Sequence, residues 1–172
     1  MPYFAAALAR GPAGWSGEEV DLKEVEDLDG LIDELRAVDD EADTWLLFVE
    51  ENDEWFGIVR VDEDGDPRVF LSDGRAMETS ELASLLGEAA TVIDPLEDDA
   101  DDEDDDDDDD DEDAAQLSGE PIGDSDLLTD LGTPSARLLK LCAEEGQLPA
   151  DVISALCESA GCLDTIDALR IA

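Results

Sequence analysis

The amino-acid sequence predicts an α+β protein in three parts. Residues 1–96 are predicted to form an α+β domain with the order β-α-β-β-β-α, residues 97–123 an acidic disordered linker, and residues 124–172 a small helical unit. Strand-like apolar runs with short connections fill the first part, whereas the second is almost purely Asp and Glu. All eight aromatic residues lie within residues 3–70, so the two flanks have different core chemistry.

The first part opens with a predicted strand and a predicted helix. In "PYFAAALAR", alternate side chains fall on opposite faces, with Phe4 and Leu8 on one face and Tyr3 on the other. Apolar residues then recur at helical spacing and predict a helix near Leu22–Val38. The residues that set this period are Val25, Leu28, Leu31, Ile32 and Leu35.

Three further strands are predicted to form an antiparallel meander. "TWLLFVE" and "EWFGIVRV" are joined by the short hairpin loop Glu51-Asn52-Asp53, and "RVFLS" follows the turn "DEDGDP". Connections this short make neighbouring strands antiparallel. A helix near residues 79–90 closes the unit, and either Thr79 or Ser80 can cap it.

The acidic block at residues 97–113 contains 16 acidic side chains in 17 positions. It has almost nothing apolar to bury, and its charges lie about 3.4 Å apart when extended, well inside a Debye length of about 8 Å. Three roles are open: a solvated spacer, a decoy that occupies a basic nucleic-acid-binding surface on a partner, or a weak sponge for divalent cations. Asp104, Asp108 and Asp111 are its candidate partner-binding residues.

The last part reads as three short helices. Thr133 and Pro134 fit an N-cap followed by proline at the first helical position, and Gly146 is expected to end that helix. A second helix is predicted to begin at Pro149 and stop at Gly161, before a short third one. About fifty residues of small helices bury little surface, so this unit is expected to dock on something else.

Composition excludes several functions. The formal net charge is −43, a surface that repels nucleic acid and anionic membranes and attracts cationic partners. Histidine is absent, which excludes Ser–His–Asp and Cys–His nucleophile pairs and every His-ligated metal site. There is no basic signal-peptide region and no apolar run of membrane-spanning length, so we expect a soluble, cytoplasmic protein without membrane contact.

We predict no metal and no cofactor. "DEDGDPRVFLSD" resembles an EF-hand loop, but Pro67 occupies the position that requires glycine, so a hairpin turn is favoured. Three cysteines leave a tetrahedral zinc site one ligand short, and their odd number favours reduced thiols. Cys142 and Cys157 lie on apolar helix faces, whereas Cys162 follows a helix-ending glycine and is expected to be exposed.

Arg60, Arg68 and Arg75 are the candidate binding cations. They provide half of the basic residues of the first part within sixteen positions. Arginine binds carboxylates and phosphates through two parallel hydrogen bonds, so the three could hold an anion or a carboxylate of a partner. The alternative is pairing with the many acids of the same chain.

Three stretches resemble the actinobacterial tRNA adenosine deaminase-associated proteins. They are "PYFAAALAR", "VEENDEWFGIVRVDEDGDPRVFLSDGRA" and "LGTPSARLLKLCAEEGQLPADVISALCESAGC". The resemblance covers both flanks of the acidic block and implies an association with a tRNA adenosine deaminase. The zinc deaminase signature H-x-E followed by P-C-x-x-C is absent, so this chain is not the deaminase itself.

The hypothesis is therefore a non-catalytic accessory or regulatory protein that docks on a tRNA adenosine deaminase or another basic protein. One alternative is an enzyme or small-molecule binder with a pocket in the N-terminal part, lined by Trp15, Trp45 or Trp55. Another is an adaptor whose C-terminal helices bind a partner groove. An exposed Leu or Ile patch on those helices would favour the adaptor.

Overall fold

One antiparallel sheet of six strands lies between two layers of helices in the computed structural model, which describes residues 3–51, 54–63, 67–93, 121–144 and 148–171. The strands are β1 (Tyr3–Gly11), β2 (Gly14–Glu19), β3 (Thr44–Glu51), β4 (Trp55–Asp62), β5 (Arg68–Leu71) and β6 (Ile122–Gly123), in the order β2-β1-β3-β4-β5-β6. The α-helices are α1 (Leu28–Arg36), α2 (Glu81–Ile93), α3 (Ser135–Ala143), α4 (Pro149–Ala160) and α5 (Leu163–Ile171).

The two faces of the sheet bury alternate residues of the same strands. On the α1–α2 face, Leu47 and Val59 pack with the first two helices, whereas Phe48 and Ile58 pack against the last three on what we call the C-terminal face. All eight residues of β3 are buried. The α+β class, the meander and the antiparallel pairing of β3 with β4 are confirmed.

Two strands were not expected from the sequence. β2 pairs with β1 at one edge after a turn in which Gly14 adopts a φ of +113°, and the two-residue β6 pairs with β5 at the other edge. An edge strand that is mostly polar, or only a few residues long, need not alternate apolar and polar side chains. The sequence "GWSGEE" of β2 therefore shows no apolar alternation from which a strand could be predicted.

The predicted helix over Leu22–Val38 is divided in the structure. Leu22–Glu24 forms a 3₁₀ turn, and α1 begins after Asp27, whose carboxylate accepts a hydrogen bond from the Gly30 amide at 2.9 Å. The next helix, α2, is capped by Ser80, whose hydroxyl accepts from the Ala83 amide at 3.1 Å. Of the two predicted caps, the structure therefore uses Ser80.

The three C-terminal helices form the layer on the second face of the sheet. α4 begins at Pro149 and ends at Gly161, which has a φ of +91°, as predicted. α3 begins one residue later than predicted, because Pro134 is its N-cap and the Thr133 side chain is buried. α4 contacts β3 and β4, while α5 contacts β1 and β2. The surface on which these helices were expected to dock is the sheet itself.

The acidic segment lies outside the described residues, which stop at residue 93 and resume at residue 121. Its predicted disorder, and the division into an α+β domain at 1–96, a linker at 97–123 and a helical unit at 124–172, remain predictions. The loops at Asn52-Asp53 and the predicted helix stop at Gly146 also fall outside the described ranges. No helix in the part of the chain that the structure describes is long and apolar enough to cross a membrane.

Candidate functional site

Two of the three candidate arginines are neighbours on the C-terminal face. Arg60 on β4 and Arg68 on β5 are cross-strand partners in the sheet register. Two like charges in this position repel each other unless acids lie between them. The acids are supplied by residues 124–130, the stretch that follows β6.

Arg60 makes the most extensive polar contacts of the three arginines. Its two terminal nitrogens donate to Asp130 at 2.5 and 2.9 Å, and one of them also donates to the Leu127 carbonyl at 2.7 Å. Its Nε donates to Asp62 at 3.1 Å, and only 6% of its side chain is exposed. The hydrogen bonds that Arg60 donates to Asp130 raise the Arg60 pKa, and the same contact holds the pKa of Asp130 below its usual value. The pair is therefore fully charged at neutral pH.

The other two candidate arginines are also paired within the chain. Arg68 donates to Asp124 at 2.7 Å, next to the contact made by Arg60. Arg75 lies on a 3₁₀ turn at Gly74–Glu78, and its exposed guanidinium donates to Asp73 at 3.1 Å. The structure thus brings Arg60 and Arg68 together and leaves Arg75 on a separate element. Binding of a partner by any of the three remains a prediction.

Most other cations are also engaged within the chain. Arg170 on α5 forms an ion pair with Glu50 at 2.7 Å and lies 5.1 Å from the centre of the Phe4 ring. Arg10 and Arg36 lie over the rings of tryptophan side chains. Together with the three candidates, these residues bring to six of nine the cations that form an ion pair or a cation–π contact within the chain.

The candidate acids Asp104, Asp108 and Asp111 lie outside the described residues, but the structure defines where their segment is attached. α2 ends at Ile93, β6 begins at Ile122, and α2 contacts both β5 and β6. Both attachment points therefore belong to one edge of the sheet.

The EF-hand-like loop lies partly outside the described residues, which leave out positions 64–66, so its prediction as a hairpin turn remains a prediction. Within the described ranges, no group of three or more His, Cys, Asp or Glu side chains could hold a metal ion. Burial raises the pKa of Cys142 to about 12, and a hydrogen bond with Cys162, together with burial, raises the pKa of Cys157. The expected exposure of Cys162 is wrong, since the turn after α4 folds it inward to 1% exposure. Asp62 instead accepts from Arg60, as described above.

The tryptophans that were expected to line a pocket lie elsewhere. Trp45 is buried and donates from its indole nitrogen to the Asp39 carbonyl at 3.1 Å, and Trp55 donates to Glu51 at 3.2 Å. Trp15 packs against the core of the C-terminal face. An open cleft of about 760 Å³ does occur on the α1–α2 face, but none of the three tryptophans lines it.

Comparison with known proteins places the chain in a family. No curated protein and no solved structure matches it at a significant level. One family model matches residues 3–163, which include every strand and most of the helical residues described above. The match extends over far more than half of the chain. The chain therefore belongs to the family of Rv3753c-like tRNA adenosine deaminase-associated proteins.

Proposed function

We propose that this protein is a non-catalytic, acidic accessory protein that regulates a basic partner by electrostatic docking, and that the partner is a tRNA adenosine deaminase. The proposal places the protein in the cytoplasm, where its three free cysteines stay reduced. The family description supplies the association with the deaminase. The regulatory role and the mode of contact are inferred from charge and topology.

The attachment of the acidic segment is the observation that carries this proposal. A spacer is useful when it separates two units, but α3, α4 and α5 pack directly on the sheet that precedes the segment. Residues 94–120 leave and rejoin the fold at one edge of that sheet. A segment with 16 acidic side chains at residues 97–113 is then an insertion whose charge is available to a partner.

The expected mechanism is competition with tRNA. An enzyme that binds tRNA presents lysines and arginines to the phosphate backbone, and much of that affinity comes from release of counterions. A polyanionic segment is a second ligand for the same basic surface, in competition with tRNA. Because six of the nine cations are engaged within the chain, the rest of the molecule adds to the negative field.

A titration of the purified deaminase tests the proposal. Three proteins are compared at low and high salt: the full chain, a chain lacking residues 97–113, and a length-matched chain with Asn and Gln at the acidic positions of that stretch. We expect the full chain to bind at low salt, to weaken as salt rises, and to compete with tRNA, while both altered chains bind far more weakly. Absence of binding by the full chain at low salt would reject the proposal.

The adaptor remains a second candidate because of two exposed leucines. Leu139 on α3 is 41% exposed and Leu148, the N-cap of α4, is 47% exposed. They are the exposed large apolar side chains of the described residues. If the C-terminal helices bind a partner, replacing both leucines with serine should abolish capture of the deaminase. Binding of the natural chain should then change little with salt concentration, because the contact is apolar.

A further inference from the structure

A second binding site is suggested by the open cleft on the α1–α2 face. Its volume of about 760 Å³ is within the range of ligand-binding pockets. One wall is the 3₁₀ turn Leu22–Glu24 with the residues that follow it, and the other is the beginning of α2. Tyr3 and Glu51, which are cross-strand partners of β1 and β3, complete the lining.

The cleft has apolar walls that are incompletely covered. Val25 lies on one wall and Leu82 and Leu85 on the other, and all three side chains are partly exposed. Concave apolar surface that remains in contact with water favours a ligand with apolar groups of its own.

The polar groups of the cleft are mostly carboxylates. Glu51 is only 8% exposed, its described partner is the neutral indole N–H of Trp55 at 3.2 Å, and it takes part in none of the ion pairs found among the described residues. Glu26 and Glu81 add two exposed carboxylates, while Lys23 is the one cation in the lining. A nearly buried carboxylate without a cation beside it favours a positively charged ligand.

One wall of the cleft is fixed in place by Tyr3. Its hydroxyl accepts a hydrogen bond from the Leu22 amide at 2.8 Å and donates to Asp21 at 3.1 Å, which ties the 3₁₀ turn to β1. Burial raises the pKa of Tyr3, so the hydroxyl keeps its proton and remains a donor. The cleft is thus formed before a ligand arrives, which reduces the entropy lost on binding.

We infer that this cleft binds a basic, amphipathic segment of a partner protein, in which a Lys or Arg side chain pairs with Glu51 while adjacent apolar side chains cover Leu82 and Leu85. Charge complementarity selects this occupant, because the lining contains three carboxylates and one ammonium group beside apolar side chains. The inference rests on the proposed function, which requires a basic partner. The cleft adds a contact of defined shape to the long-range electrostatic attraction of the acidic segment.

A peptide titration with matched variants tests the inference on the full chain. The probe is a fluorescein-labelled synthetic peptide of alternating Leu and Arg, and its affinity is measured by fluorescence anisotropy. Glu51→Gln removes the charge but keeps an acceptor for Trp55, and Glu158→Gln makes the same charge change at an exposed residue of α4, which lies on the other side of the sheet. We expect the first variant to weaken binding about tenfold or more and the second less than about twofold.

A second variant keeps the test independent of any effect of Glu51 on folding. Leu85→Ser changes an incompletely buried wall residue without changing charge, and it should also weaken binding of the peptide, whereas a peptide with Ser in place of Leu should bind the natural protein and Leu85→Ser equally. Equal losses for Glu51→Gln and Glu158→Gln, or no loss for Leu85→Ser, would overturn the cleft site. If the deaminase still binds through residues 97–113 in that case, the proposed function stands and only this inference fails.

Discussion

Replacing Arg60 with leucine should loosen the attachment of the C-terminal layer to the sheet. Leucine keeps the apolar part of the buried stem but removes every hydrogen bond that the guanidinium makes to Asp62, Asp130 and the Leu127 carbonyl. Those contacts join β4 to residues that lie 67 and 70 positions later in the chain. The perturbation therefore acts on a long-range contact while leaving the strand itself intact.

The expected loss follows from the exposure of each partner. The Leu127 carbonyl is buried and loses a charged donor, which costs about 1–3 kcal/mol. The side chains of Asp130 and Asp62 are 61% and 29% exposed, so water can solvate them and each ion pair contributes no more than about 1 kcal/mol. We expect Arg60→Leu to lower the free energy of unfolding by about 2–4 kcal/mol.

Urea denaturation followed by tryptophan fluorescence measures this loss. Arg75→Leu is the matched control, because its guanidinium is 61% exposed and its partner is the nearby Asp73. The control should cost less than about 0.5 kcal/mol. Equal effects of the two substitutions, or an unchanged urea midpoint for Arg60→Leu, would show that Arg60 does not hold the C-terminal layer to the sheet.

The same contact predicts a pH dependence. Arg60 holds the pKa of Asp130 below its usual value, so the contribution of Asp130 is complete above that usual value and is lost as pH falls through the lower, folded one. The difference in unfolding free energy between the natural protein and Asp130→Asn should be constant above about pH 5 and decrease as pH falls through the lowered pKa of folded Asp130. Because both proteins contain all the other carboxylates, the contribution of their titration cancels in this difference.

Three further predictions concern the acidic segment, the turn before α3 and the thiols. Deleting residues 97–113 shortens the connection between α2 and β6 from 28 to 11 residues, so the free energy of unfolding should rise by about 0.8 kcal/mol at high salt and by more at low salt; a decrease would contradict an insertion anchored at both ends. Gly132→Ala should lower stability by about 1–3 kcal/mol, because φ is +102° and the new Cβ would lie 2.8 Å from the Ser159 carbonyl oxygen; an unchanged urea midpoint would oppose this packing. The raised pKa values of Cys142 and Cys157 predict slow reaction with a thiol reagent at pH 8 in the native protein and fast reaction in urea, and equal rates would contradict their burial.

The strands and helices that bury apolar side chains could be predicted from the sequence. β1, β3, β4 and β5 follow apolar runs, and α4 is bounded by a proline and a glycine as expected. The unbroken run "TWLLFV" was itself a signal for burial on both faces, because a strand with one wet face alternates apolar and polar residues. That signal predicts a second layer of helices, although the sequence does not say which helices form it.

The polar contacts of the candidate site could not be predicted in the same way. Arg60 was identified as a candidate, but Asp130 is one of 52 acids and lies 70 positions away, so no local pattern marks it as the partner. The edge strand β6 depends on pairing with β5 and carries no period of its own. The cleft likewise arises from the spacing between a 3₁₀ turn and α2, which is a tertiary feature.

The arginine network gives a physical reason why the fold can accommodate its acidic insertion. The stretch at residues 97–113 places a charge of −16 between α2 and β6, and like charges repel, while β6 offers only two residues of strand pairing to hold the returning chain. The chain that follows β6 is held by the Asp124 amide, which donates to the Val69 carbonyl at 2.9 Å, and by the ion pair of Asp124 with Arg68. Arg60 then fixes the Leu127 carbonyl and Asp130 to β4. Two cations on neighbouring strands thus hold the chain that follows the acidic segment at the edge of the sheet.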